Sequence, residues 1–365
     1  MNRYIKIICV VICVCLLGGC GHFSLEERSI IEGIAIDKTE DGFLVTTQVY
    51  KQSPDEKEAN KYEIHFSNGK TVYEALHNIF HTSGKQPFYA YNKIIIISQE
   101  ALSVGIDNIL DYFFRDNEIR HNTLVCCSED KASDLLKIDN EGMLMPAERI
   151  TTLLEIAGVP SYKTASGELL EVGTRMENET TDIYLPLIKL KTSEKDQKVA
   201  YVAGSVAFRE SNPVYKLDNK ETAGFCYLNN YVSNYPISVE YDGANYLFSI
   251  KKMKTKYDIQ LENGKIKINV TFDADTILEE VTSQIRDIDD KQMKYIADMS
   301  GKEICNMAKQ VTEDVFFGHK SDIFQIGSRV KKSHPKYFNT LESWVDTIDR
   351  CEFSFSHEIT LSIIG

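Results

Sequence analysis

In the first half of the chain, short runs rich in isoleucine, valine and tyrosine alternate with amphipathic stretches. The segments 30–37 and 43–50 predict two β-strands joined by a short turn. The run 93–98 (KIIIIS) is almost wholly apolar, which predicts a central strand that is covered on both faces. Apolar residues recur at helical spacing in 71–81 and 106–115, so these segments predict helices. Strand and helix signals therefore mix from the start of this region.

The second half has a different pattern. Strand signals predict a meander over 237–272, in which 246–253 and 257–261 count as separate strands. A single apolar stripe with spacings of three and four then predicts one long helix from Asp289 to about Phe316. The last segment alternates again and predicts a closing strand.

These signals predict an α+β, multi-domain protein with mixed or antiparallel sheets flanked by helices. The long amphipathic helix belongs to the C-terminal domain. We expect a leader at 1–19, an N-terminal α+β domain at 20–190 and a C-terminal α+β domain at 199–365, with a polar linker between the two. A further division near 230–240 would give three domains in all.

The first twenty residues have the features of a secretory leader. Arg3 and Lys6 are the only charges, and the run from Ile7 to Leu17 is apolar. A helix that crosses a bilayer needs about 20 apolar residues, so this run is too short for a span.

The leader ends at Leu17-Gly18-Gly19-Cys20, which resembles the bacterial lipobox. Gly18 and Gly19 leave the backbone open to a peptidase, and Leu17 suits an apolar pocket. Cys20 would become the first residue and carry the acyl chains as a diacylglyceryl thioether. Each buried methylene contributes about 0.8 kcal/mol, so two or three chains anchor the protein stably.

Charge narrows the choice of partners. The chain carries a net charge of −13, and loss of Arg3 and Lys6 with the leader makes it −15. Nucleic acid is therefore not expected as a partner, because phosphates need a basic surface. Five scattered cysteines follow Cys20 and form no C-x-x-C motif, so buried free thiols are expected rather than a metal knuckle or redox site.

Candidates for catalysis are weak. The chain has no Walker A, H-E-x-x-H, G-x-S-x-G or G-x-G-x-x-G motif. His77 and His81, with Glu74 one turn earlier, could place three ligands on one helix face, but a solvated face explains them better, and we expect no metal and no cofactor. The acidic stretch 279–290 fits a helix start better than an acid–base pair. Trp344, the only tryptophan, is a packing residue or a candidate partner contact.

Several stretches in order resemble the C-subunit lipoproteins of bacterial spore germinant receptors, the Ger(x)C type. The likeness covers essentially the whole chain and departs from the family pattern at Ala35 and Gln325. It is carried by Cys20, 34–38 (IAIDK), 71–76 (TVYEAL), 93–98, 110–116 (LDYFFRD), Leu185-Pro186, 204–208 (GSVAF), 219–228 (NKETAGFCYL), 322–327 (DIFQIG), His334-Pro335, Trp344 and 359–365.

The resemblance implies a lipid-anchored, non-enzymatic subunit on the outer leaflet of the spore inner membrane. Its implied partners are the integral-membrane A and B subunits of a nutrient receptor, and its implied role is in germination. Only Cys20 then has a defined chemical role. The alternatives are an extracytoplasmic solute-binding lipoprotein, which usually has two like βαβ lobes, and an envelope enzyme, for which no catalytic constellation is present.

Overall fold

The computed structural model describes residues 27–51, 62–138, 145–156, 167–194, 196–232, 235–282 and 289–363. They form two sheets with helices packed on them, so the predicted α+β class is confirmed. We call residues 28–217 the N-terminal half and residues 219–363 the C-terminal half. The predicted lipobox, Leu17 to Cys20, lies outside the described residues.

The N-terminal half is built on a mixed sheet with the order β3-β2-β1-β5-β6-β7-β8-β9, and β4 also pairs with β1. The contacts of β5 with β1 and β6, and of β6 with β7, are parallel, whereas the outer pairs are antiparallel. The strands are β1 (Arg28–Thr39), β2 (Gly42–Tyr50), β3 (Tyr62–Gly69), β4 (Gln86–Phe88), β5 (Ile94–Ser98), β6 (Leu124–Ser128), β7 (Tyr184–Thr192), β8 (Lys198–Arg209) and β9 (Asn212–Leu217).

Helices cover both faces of this sheet. They are α1 (Val72–Ser83), α2 (Ile106–Arg115), α3 (Ala132–Leu135), α4 (Pro146–Ile156) and α5 (Leu169–Met176). Helices α1, α2 and α5 share a core with Ile95 and Ile97, whereas α3 and α4 share a core with Ile94 and Ile96. Successive strand side chains point to opposite faces, so the isoleucine run of β5 fills both cores. None of these four isoleucines has exposed surface.

The cap of α3 comes from a distant part of the chain. The helix begins at Ala132, a few residues after β6 ends at the buried Ser128. Asp37 at the end of β1 supplies the cap: its carboxylate accepts hydrogen bonds from the backbone N–H of Ala132 at 2.7 Å and of Ser133 at 3.0 Å. The cap comes from 95 residues away in sequence, so local pattern could not show it.

The C-terminal half has a second sheet with the order β10-β11-β12-β13. Its strands are β10 (Ile237–Tyr241), β11 (Ala244–Glu262), β12 (Lys265–Val281) and β13 (Cys351–Ile363). The predicted break between 253 and 257 is wrong, because β11 is one strand of 19 residues that pairs with β12 along its length. The closing strand β13 runs parallel to β12 and forms the edge.

Helices pack on one face of this second sheet. They are α6 (Asn219–Leu228), α7 (Asp290–Val311), α8 (Ile326–Ser333), α9 (Pro335–Phe338) and α10 (Trp344–Thr347). The long helix α7 begins where Asp289 caps it, through a hydrogen bond from the Gln292 N–H at 2.7 Å. The helix is followed by a π-helical turn at Thr312–Gly318. The prediction that the acidic stretch 279–290 leads into the start of a helix is thus confirmed at Asp289.

The first sheet continues past the predicted boundary between the domains 20–190 and 199–365. Strands β8 and β9 begin at Lys198 and Asn212, yet they complete the N-terminal sheet by pairing with β7 and with each other. A cut at 199 would therefore separate paired strands. The domain limits themselves stay a prediction.

Two further expectations concern thiols and membrane spans. Cys126, Cys127, Cys226 and Cys351 are buried, Cys305 is half-buried, and none of these five described cysteines forms a disulfide bond. Burial raises the pKa of Cys126 and Cys127, which keeps them protonated. Among the described residues, no helix combines the length and apolar character needed to cross a bilayer.

Candidate functional site

The two halves meet around a buried carboxylate, Asp322, which lies just before α8. One oxygen accepts a hydrogen bond from the Ile326 N–H at 2.9 Å, and the other accepts from the Gly327 N–H at 2.7 Å. The indole Nε1–H of Trp344 donates to that second oxygen at 3.0 Å. Burial raises the pKa of Asp322 to about 7, and the nearby charge of Asp182 adds to the rise, although the three N–H donors favour the ionised form.

Asp182 connects this carboxylate to the N-terminal half. It lies just before β7, and its side chain accepts hydrogen bonds from the Asp322 N–H at 2.7 Å and from the Glu210 N–H at 3.0 Å. Its own N–H donates to the Asp322 carbonyl at 3.0 Å. Burial raises the pKa of Asp182 as well. The two aspartates thus tie the halves together through side chain and backbone at once.

Hydroxyl groups reinforce the same junction. Ser321 donates to the carbonyl of Phe208 in β8 at 2.5 Å. The hydroxyl of Ser328 in α8 lies 2.7 Å from that of Thr180 and 3.1 Å from that of Thr181. These contacts join segments about 110 to 150 residues apart, and they are buried or partly buried. We call the Asp182–Asp322–Trp344 network with these hydroxyl contacts the junction network.

Trp344 has a structural place in this network. Only 6 % of it is exposed, and its ring packs against Gly327, where a Cβ atom would come within 2.6 Å of the indole. The rings of Phe316 and Phe338 lie 6.4 and 6.1 Å away, centroid to centroid. The structure therefore places the indole in the core rather than on a surface. A direct contact of Trp344 with a partner stays a prediction, and the burial of the indole disfavours it.

A cleft of about 430 Å³ opens beside the junction network. Charged residues of both signs line it, namely Asp107, Arg175, Glu177, Glu179, Asp182, Arg209, Glu210 and Lys320. Arg175 is only 6 % exposed; it lies over the Tyr184 ring at 4.4 Å and pairs with Glu171 at 3.2 Å. The described lining has no histidine or cysteine. Its charged side chains can pair with charged groups of a ligand.

The Glu74 carboxylate does not point toward the two histidines of α1. His77 and His81 are exposed and their rings lie 4.3 Å apart, but the Glu74 carboxylate turns to the helix start and accepts from the Lys70 N–H at 2.7 Å. No group of three or more metal-ligating side chains occurs within the described ranges. The solvated-face interpretation agrees with this geometry.

Comparison with known proteins assigns the family. The sequence profile described as "Spore germination protein N-terminal domain" matches residues 22–190, and that described as "Spore germination B3/ GerAC like, C-terminal" matches residues 203–365. The chain belongs to this spore germination family. The resemblance found in the sequence is thereby confirmed.

Relatives and a solved structure agree over most of the chain. Spore germination protein B3 of Bacillus subtilis (strain 168) is 26% identical over 363 residues, which cover 96% of this chain and 95% of that protein. Spore germination protein A3 of the same organism is 25% identical and covers 76% of this chain, and 74% of its own length is matched. The crystal structure of the GerBC protein has the same fold, with a TM-score of 0.61, 20% identity, and coverage of 91% of this chain and 97% of that one.

Sequence reasoning located part of this site. It singled out Trp344 and the 322–327 segment, but it did not connect either of them to Asp182. Asp322 lies four and five residues before the N–H groups that it binds, which is further than an ordinary N-cap residue reaches, so the capping pattern does not mark it. No local signal marks Asp182, because its partners lie 28 and 140 residues away.

Proposed function

We propose that this chain is the lipid-anchored C subunit of a nutrient germinant receptor. It would act with membrane-embedded A and B subunits on the outer leaflet of the spore inner membrane. The observation that carries the proposal is the family match, which extends over residues 22–190 and 203–365, together with relatives named as spore germination proteins over nearly the whole chain. The short apolar leader and Leu17-Gly18-Gly19-Cys20 support the anchor.

The geometry supports an assembly role better than a catalytic one. The junction network fixes the two halves relative to each other through buried hydrogen bonds. A buried polar or ionised group whose hydrogen bonds are all made strongly favours a single arrangement of the halves. A rigid, anchored body can present surfaces on both halves to neighbouring subunits. Confinement to a membrane raises the effective concentration of these partners, so contacts of modest strength suffice.

Cys20→Ala tests the anchor, and Cys15→Ala in the same leader is the matched control. We expect Cys20→Ala to leave a folded chain that is lost from the membrane fraction and to impair the nutrient response of spores. Cys15→Ala should behave as wild type in both assays. Mass spectrometry of the wild-type protein should show acyl chains on Cys20. Full germination with an unacylated, released Cys20→Ala protein would refute the proposal.

The charged cleft is the one observation that favours the alternative, an extracytoplasmic solute-binding lipoprotein. Its volume of about 430 Å³ is in the range of small-molecule pockets, and Arg175, Arg209 and Lys320 could meet an anionic group. Calorimetry with amino acids and sugars distinguishes the two functions. We expect no saturable heat; micromolar binding that Arg209→Gln abolishes would establish the alternative.

A further inference from the structure

Four side chains lie in a row at the end of the first sheet where β1 begins. The Arg28 guanidinium carbon lies 4.8 Å from the centroid of the Phe88 ring, and the Phe88 and Tyr91 centroids are 5.8 Å apart with the ring planes tilted by 50°. The Arg120 guanidinium carbon lies 5.5 Å from the Tyr91 centroid. We call these four residues the aromatic–arginine stack. Two adjacent rings lie between two cations, and the four residues come from three separate segments of the chain.

The aromatic–arginine stack faces outward. Tyr91 is 51% exposed, Arg120 is exposed, and Arg28 and Phe88 are half-buried. Within the described ranges, neither arginine forms an ion pair with a carboxylate, so both keep donors free for an anion. Elsewhere the chain stacks an arginine on a ring inside the protein: Arg175 and Tyr184 are 6% and 3% exposed. Packing explains that buried pair, but it does not explain an exposed tyrosine between two cations.

The position of the stack relative to Cys20 suggests its partner. Seven residues separate Cys20 from Arg28, and an extended chain of that length spans at most about 28 Å from one Cα to the other. If Cys20 carries the acyl chains, as the proposed function holds, the end of the molecule with the stack is the end held near the bilayer. Tyrosine rings are enriched at membrane–water interfaces, and arginine binds phosphate oxygens through two parallel hydrogen bonds.

We propose that the aromatic–arginine stack lies against the lipid headgroups, with Phe88 and Tyr91 in the interfacial layer and Arg28 and Arg120 bound to lipid phosphates. This inference rests on the proposed anchor at Cys20 and adds the orientation of the protein on the membrane. The chain as a whole is acidic, with a net charge of −13, so an anionic bilayer repels most of its surface. A local pair of cations beside the anchor then selects which face meets the lipid.

Tryptophan placed in the stack reports its depth. The full-length protein carrying Tyr91→Trp is purified from membranes and reconstituted into phosphatidylglycerol–phosphatidylethanolamine vesicles that contain brominated lipid, which quenches nearby indoles. The matched control is Tyr295→Trp, which replaces a tyrosine that is 46% exposed on α7 in the other half. Trp344 is buried and gives the same background in both proteins. We expect the added emission of Tyr91→Trp to be largely lost and that of Tyr295→Trp to be kept.

The arginines are tested in the same assay. Arg28→Gln with Arg120→Gln, in the Tyr91→Trp background, should weaken the quenching in anionic vesicles, since each basic residue near such a surface changes its occupancy about fivefold. Equal quenching at both tryptophan positions, or none at position 91, would overturn the inference, as would crosslinking of position 91 to a protein rather than to lipid. Mass spectrometry of each sample separates this result from failure of the proposed function. Where Cys20 is bare, a maleimide lipid coupled to its thiol supplies the anchor.

Discussion

Trp344→Phe tests whether the junction network stabilises the fold. The substitution removes the indole N–H that donates to Asp322 at 3.0 Å and leaves one donor fewer on a fully buried carboxylate. A hydrogen bond to a charged group contributes about 1.5–3 kcal/mol. The phenyl ring also leaves unfilled space beside Gly327, for which we add roughly 1–2 kcal/mol by comparison with other truncations in protein cores. We therefore expect a loss of about 2.5–5 kcal/mol in the free energy of unfolding.

Urea unfolding followed by far-ultraviolet circular dichroism measures this loss, because the substitution removes the only tryptophan. The measurement belongs at pH 8, where Asp322 is ionised in the folded state. A double-mutant cycle with Asp322→Asn isolates the hydrogen bond from the packing. A loss below about 1 kcal/mol in Trp344→Phe, or an equal loss in the Asp322→Asn background, would show that the bond contributes nothing.

Three further predictions concern pH, helix packing and thiols. Burial raises the pKa of Asp322 from 3.8 to about 7, so between these pH values the folded state holds a proton that the unfolded state releases. The free energy of unfolding should therefore fall as the pH rises from about 4 to 7, by up to about 1.4 kcal/mol per pH unit. In urea titrations, Asp322→Asn should flatten that slope. Gly224→Ala would bring a Cβ within 2.5 Å of the Met307 carbonyl oxygen and should cost about 1–3 kcal/mol in thermal unfolding, whereas Asn306→Ala on the exposed side should cost little. Burial raises the pKa of Cys305 to about 11, and the other described thiols lie deeper, so among them Cys305 should react first but slowly with a thiol reagent. Fast reaction of Cys126, Cys127 or Cys351 in the native protein, located by mass spectrometry, would contradict the structure.

Local physical chemistry determined most of the secondary structure. The isoleucine run of β5 is apolar at every position that faces either core, which is the pattern of a central strand covered on both faces. The apolar stripe of α7 and its capping aspartate, Asp289, fixed a helix and its start. The leader and the lipobox at Cys20 likewise depend on a short contiguous pattern, so the sequence predicts an anchor without any knowledge of the fold.

Tertiary structure alone decided which residues meet. Asp37 caps a helix 95 residues away, and Asp182 accepts a hydrogen bond from the backbone of Asp322 across 140 residues. Tertiary structure also showed that Trp344, by sequence a packing residue or a candidate partner contact, donates to a buried carboxylate. Periodicity and capping act over a few residues, whereas these contacts depend on how sheets and helices pack. The sequence by itself therefore determined most of the elements and predicts the anchor, whereas only the packed chain decided the junction network and the aromatic–arginine stack.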